Sequence, residues 1–174
     1  MKLIEALKEK KLNQKKVAGV ISDIQKYSSI TSVEKPAFET EKEQTAYVKS
    51  LVQSGMDLLN RRAHLKMLID KTNLETKIKI PKGSVFPEHE ISIAEALMFK
   101  LNYNEYVQLF SALSRSTAAS RLRSMPSLSD GTKAIEIQLY EESWKNNSLK
   151  DLKMKFDHID AHLEMMNATV DVVE

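Results

Sequence analysis

The stretch His158-Ile159-Asp160-Ala161-His162 comes nearest to a chemical site. A spacing of four sets both imidazoles on one helix face, where they could share a transition-metal ion, and Asp157, Asp160 and Glu164 lie close enough in sequence to add a carboxylate. Two ligands do not make a site, however, and both histidines border an apolar seam where solvated flanking residues belong. His158 and His162 therefore stand only as weak metal candidates. The chain has no glycine-rich phosphate loop, nucleophile elbow, HExxH or calcium loop. With no cysteine there is no thiolate chemistry and no disulfide, and the 24 acids show no pair marked out for acid–base work. No catalytic residue and no cofactor is expected.

Two basic stretches are candidates for a polyanion: Lys8 to Lys16, and Arg115, Arg121 and Arg123. A solvated helix face explains the first, and cations complementing a helix C-terminus explain the second. Lone Trp144 reads as an anchor for a helix start, and the aromatic positions Tyr103, Tyr106 and Phe110 as core.

Composition decides what positions these residues. Four Gly, four Pro, 42% hydrophobic and 29% charged residues suit long amphipathic helices. A net charge of +2 from 26 basic and 24 acidic side chains supplies no overall field for nucleic acid or an anionic membrane. A chain of 174 residues buries roughly 70% of its unfolded surface and can form a core of its own. Neither a signal peptide nor an apolar run of about 18 residues is visible, so a cytoplasmic protein, or one assembled into a virion, with no membrane span is expected.

The fold expected is mainly α, a single domain over 1–174: an antiparallel long-helix bundle or coiled coil with a small β-hairpin arm. Helices are expected at about 2–27, 41–71, 93–120 and 148–166. The first carries Leu3, Leu7, Val17, Ile21 and Ile24; the second, opened by Thr40 and Glu43 as a capping box, carries Tyr47, Leu51, Leu58, Leu65 and Ile69. Gly55 and Arg62 share that face, the one permitting close approach and the other pairing with a carboxylate or marking an edge.

Between helices two and three, Leu74, Thr76, Ile78 and Ile80 alternate with Glu75, Lys77 and Lys79, the period of a strand with one covered face. Pro81 and Gly83 break the run, and the chain returns through Ile91 to Ser92 and Glu95, a second capping box, so the arm spans 74–92. A further strand is expected at 134–140, where Ile135, Ile137 and Leu139 alternate with polar residues. Ser148 is expected to cap helix four, in which Leu149, Leu152, Phe156, Ile159, Leu163 and Met166 keep a heptad seam. The tail NATVDVVE has the β-branched residues to pair with an edge, in its own subunit or a neighbour.

The opening MKLIEALKEKKLNQKK, the junction LIDKTNLETKI, the following ISIAEAL and the closing LKDLKMKFDHIDAHLEMMNATVDVV resemble the septicolysin-like family of small helical proteins of bacteria and phages. That family's pattern has a start like MKLAEAL, an Asn-Thr-Asn-like turn after helix two, a Leu-x-Glu-Ala-Leu helix start and a final segment containing Asn-Trp-Thr. Here Lys71-Thr72-Asn73 stands at the turn, and Asn167-Ala168-Thr169 lacks the tryptophan. The family name implies a cytolysin, yet the resemblance transfers no catalytic residue, and Lys77 and Lys79 make the arm a poor pore-forming hairpin.

The leading expectation is thus a non-enzymatic, self-assembling helical protein: a homo-oligomer, set among other structural proteins of a phage or prophage particle. Its interface candidates are Leu149, Leu152, Phe156, Ile159, Leu163 and Met166 with Ile78 and Ile80 of the arm. The alternatives are a nucleic-acid-associated protein using the basic stretches and a metal-dependent enzyme around His158 and His162.

Overall fold

The computed structural model describes residues 1–31, 37–113 and 138–173. Among them run α1 (Leu3–Tyr27), α2 (Glu41–Glu75), β1 (Lys77–Ile80), β2 (His89–Ser92), α3 (Ile93–Ser111) and α4 (Glu142–Thr169). The protein is mainly α with a small antiparallel hairpin, and the chain divides into two compact units, Met1–Glu75 with Glu164–Glu174, and Thr76–Leu163. The basic residues Arg115, Arg121 and Arg123 and the strand expected at 134–137 lie outside the described residues. Residues 138–140 form no strand, and Leu139 is 93% exposed.

In the first unit α1 and α2 are antiparallel. Glu9 meets Arg61, with Oε1 2.7 Å from Nε; Val20 faces Gly55, where an added Cβ would stand 3.4 Å from Val20 Cγ1; and Tyr27 packs edge-on to Tyr47 with centroids 5.5 Å apart. The partner chosen by a carboxylate is thus Arg61 rather than Arg62. The buried stripe of α1 is Leu3, Ala6, Asn13 and Val17, while Ile21, a position of the expected face, is half exposed.

The tail pairs within its own chain. Leu3 N donates to Val170 O and Val172 N to Met1 O, each at 2.9 Å, and Lys2 Nζ donates to Thr169 O and to Asp171 Oδ2. Val173 N donates to the Thr72 hydroxyl, which itself donates to Leu68 O at 2.7 Å. This doubly bonded, fully buried Thr72 keeps the last turn of α2 helical. The helix therefore continues to Glu75 instead of stopping near Lys71, and Leu74 is helical and exposed rather than the first residue of a strand.

In the second unit the hairpin pairs Lys77 with Ser92, Ile78 with Ile91, Lys79 with Glu90 and Ile80 with His89. Its alternation puts Ile78, Ile80 and Ile91 inside and both lysines out, with Lys79 paired to Glu88 across the hairpin at 2.8 Å. Ser92 closes β2 and caps α3: Ser92 N donates to Glu95 Oε2 at 2.6 Å, and Glu95 N donates to Ser92 Oγ at 3.1 Å. The helix stops at Ser111 with Ala112 as its C-cap, short of the expected residue 120.

Helix α4 opens six residues before its expected cap. Glu142 supplies an acid in the first turn, and Tyr140 Oη and Lys145 Nζ both donate to Leu113 O, tying its start to the end of α3. Ser148 is buried inside the helix and caps nothing. Tyr103 and Phe156 pack at 4.4 Å, and Phe110 and Trp144 at 5.5 Å, across the same two helices.

Because Ile78 is 1% exposed, a charge there loses burial worth about 2 kcal/mol and adds a desolvation cost. Urea unfolding of Ile78→Asp should show a loss of roughly 3 kcal/mol or more, against about 1 kcal/mol or less for Lys79→Asp. Small, equal losses would mean that the hairpin packs on nothing.

Candidate functional site

The loop Pro81–Glu88 is held by one side chain. Asp151 is 3% exposed in α4, and its carboxylate accepts from three successive backbone amides: Ser84 N at 3.0 Å, Val85 N at 2.6 Å and Phe86 N at 3.2 Å. Gly83 is required beside it, since an added Cβ would fall within 2.6 Å of Asp151 Cγ. Burial pushes the Asp151 carboxyl up, but the three amides outweigh it and hold the acid below the ordinary aspartate range.

This loop, α3 and α4 enclose a cavity of about 500 Å³. Its walls are predominantly apolar: Ile80, Phe86, Phe99, Tyr106, Phe110 and Leu152 contribute most of the character. The aromatic stripe of α3 is thus only partly core. Phe99 is buried and stacks on Tyr106 at 5.3 Å, while Tyr106 remains 40% exposed and faces the opening.

His89 and Lys155 add polar groups to the lining. His89 Nδ1 donates to Pro87 O at 2.9 Å, which leaves Nε2 as the acceptor for Lys155 Nζ at 3.2 Å. The Lys155 ammonium also lies 4.6 Å from the centroid of the Phe99 ring. Burial pulls Lys155 below the ordinary lysine range, and the negative charge of Glu95 offsets part of that.

The weak metal candidates His158 and His162 do not line the cavity. His158 and His162 do share a helix face, with ring centroids 3.9 Å apart, but each spends a ring nitrogen on a backbone carbonyl: His158 Nε2 donates to Lys79 O, and His162 Nδ1 to His158 O. Asp160 pairs with Lys100. Among the described residues no group of three or more His, Cys, Asp or Glu side chains is arranged to hold a metal ion. Along the α4 seam Leu152, Ile159 and Leu163 are buried within the single chain, and Leu149, Phe156 and Met166 are half buried. Ile78 and Ile80 are likewise buried inside. Lys8, Lys11, Lys15 and Lys16 project from α1 as an exposed charged face.

Sequence reasoning missed the cavity because its parts come from the hairpin with its loop, α3 and α4. Asp151 and Lys155 stand four residues apart on α4, but no spacing ties them to His89 or to the loop. The one available signal was Gly83 between two prolines, a loop built for close approach.

No family model matches the chain, and no curated protein does. A solved structure of a functionally unknown conserved protein from Corynebacterium diphtheriae is similar to it in fold, with a TM-score of 0.54 over 99% of each chain at 14% identity. Among the described residues no helix is long and apolar enough to cross a membrane.

Replacing Asp151 by Asn keeps the shape but turns one acceptor oxygen into a donor facing amide donors. Asp151→Asn should cost about 2–3 kcal/mol in urea unfolding at neutral pH. Because the folded acid is stronger than the unfolded one, its stabilisation is complete above the unfolded pKa of about 4 and disappears as pH falls through the lower folded value. The difference between wild type and Asp151→Asn should therefore narrow as pH falls through that acidic window; a difference that stays constant down to acid unfolding would show that the charge of Asp151 does not hold the loop.

Proposed function

We propose that this chain is a non-enzymatic binding protein that takes a small, mainly apolar molecule into the cavity between the Pro81–Glu88 loop, α3 and α4. The observation that carries this reading is the cavity itself. At about 500 Å³ it falls in the size range of small-molecule sites, and its lining combines aromatic walls with a few polar groups. Asp151 holds the loop in place before any ligand arrives, so little ordering entropy opposes binding.

The lone tryptophan reports on occupancy, because Trp144 packs edge-on against Phe110 in the cavity wall. Titration with biphenyl-4-methanol should change Trp144 fluorescence saturably. Tyr106→Asp, which sets a charge at the opening, should weaken that binding by about tenfold or more. No saturable change in fluorescence, together with no heat of binding, would remove the cavity as a ligand site.

Self-association remains a second reading, and α3 rather than the α4 seam supports it. Met98, Leu101 and Leu109 fall along one face of α3 and are 57%, 75% and 68% exposed. A second copy burying this face would give the assembly role its contact, with a phage or prophage particle as the setting. Light scattering behind size exclusion should then give a mass above 19.8 kDa that Leu101→Asp returns to that value. A wild-type mass that stays at 19.8 kDa over a roughly tenfold range of concentration would exclude it.

A further inference from the structure

Resting on the reading of the cavity as a ligand site, we infer that its occupant is an amphipathic monocarboxylate, an aromatic or aliphatic acid whose body lies against Phe86, Phe99 and Phe110 and whose charge pairs with Lys155.

The polar groups of the cavity leave one opening for a partner. Asp151 is committed to the amides of Ser84, Val85 and Phe86, so its acceptor oxygens are spent on the loop. His89 is committed on both ring nitrogens, to Pro87 O and to Lys155. Glu95, the acid whose charge reaches Lys155, is bound to the amide and hydroxyl of Ser92 in the capping box. Among the described residues Lys155 forms no ion pair.

An ammonium group has three donors. One points to His89 Nε2, and the Phe99 ring covers another side without supplying a lone pair. This half-buried cation in the cavity lining is thus contacted by a neutral acceptor and a ring face, with the charge of Glu95 acting on it without pairing. Burial already disfavours its charge, and an entering carboxylate supplies the counter-ion and the missing acceptor. An amine would meet like charge at the same place, and an alcohol would bring an acceptor without the charge.

Three probes of one shape separate these cases: biphenyl-4-carboxylate, biphenyl-4-methanol and biphenyl-4-methanamine, titrated by calorimetry into the full chain at neutral pH. The carboxylate should bind about tenfold tighter than the alcohol, and the amine weakest. In Lys155→Met the ratio of carboxylate to alcohol affinity should fall to about one, and in Lys155→Arg the preference should return. Equal affinity for the three probes, a preference for the amine, or a carboxylate preference that survives Lys155→Met would overturn the assignment while leaving the cavity a ligand site. Binding of none of them would remove that site and this inference with it.

Discussion

The carboxylate of Asp151 is the constraint on which the second unit depends. A loop of eight residues between two four-residue strands has little to hold it, since a two-stranded hairpin alone is marginal in water. One buried acid solves this by accepting three consecutive amides, a charge-assisted arrangement that satisfies the backbone and neutralises none of the charge. Gly83 is the complement of that choice, for the backbone must come closer to the acid than a side chain would allow. With the loop fixed, its inner surface becomes a wall, and the aromatic residues of α3 face a cavity instead of a closed core.

The same arrangement distributes charge. Asp151 is bound to the loop, whereas Lys155, one turn later on α4, meets His89 and the face of Phe99. Two oppositely charged side chains of one helix thus have unlike roles, one internal and one directed at the cavity. The difference is set by the partners each finds: three backbone donors for Asp151, a ring nitrogen and a ring face for Lys155.

The first unit relies on a thinner core. Among its described residues the buried apolar ones are Leu3, Ala6, Val17, Leu65, Ile69 and Val172, and polar ties add to them. The Glu9–Arg61 pair links α1 to α2, and the pairing of residues 170–172 with residues 1–3 fastens the last segment to the first helix. Thr72 joins these two features, because one hydroxyl both donates into α2 and accepts from the tail.

Much of the fold was legible in sequence order. Periodicity placed four helices, the Ser92–Glu95 box located the start of α3 to the residue, and the alternation from Ile78 to Ile80 named the covered face of the hairpin. These features depend on neighbours three or four positions away, or on alternate positions of one strand, and such local spacing is written in the chain itself. The errors have a common source. Leu74 follows a strand period but lies in a helix prolonged by Thr72, whose bond to Val173 is 101 residues distant. Ser148 looks like a cap but is buried inside α4, whose start is tied to Leu113. The site was less legible still: His158 and His162 advertised themselves by spacing and turned to backbone carbonyls, while Gly83, His89, Phe99, Asp151 and Lys155 met around one cavity from four different segments. Spacing along a chain determines which side of a helix or strand a residue occupies. Whether that side finds a partner, a wall or an opening was decided only by tertiary packing, because a hydrogen bond or an enclosed volume depends on atoms that sequence separation does not constrain.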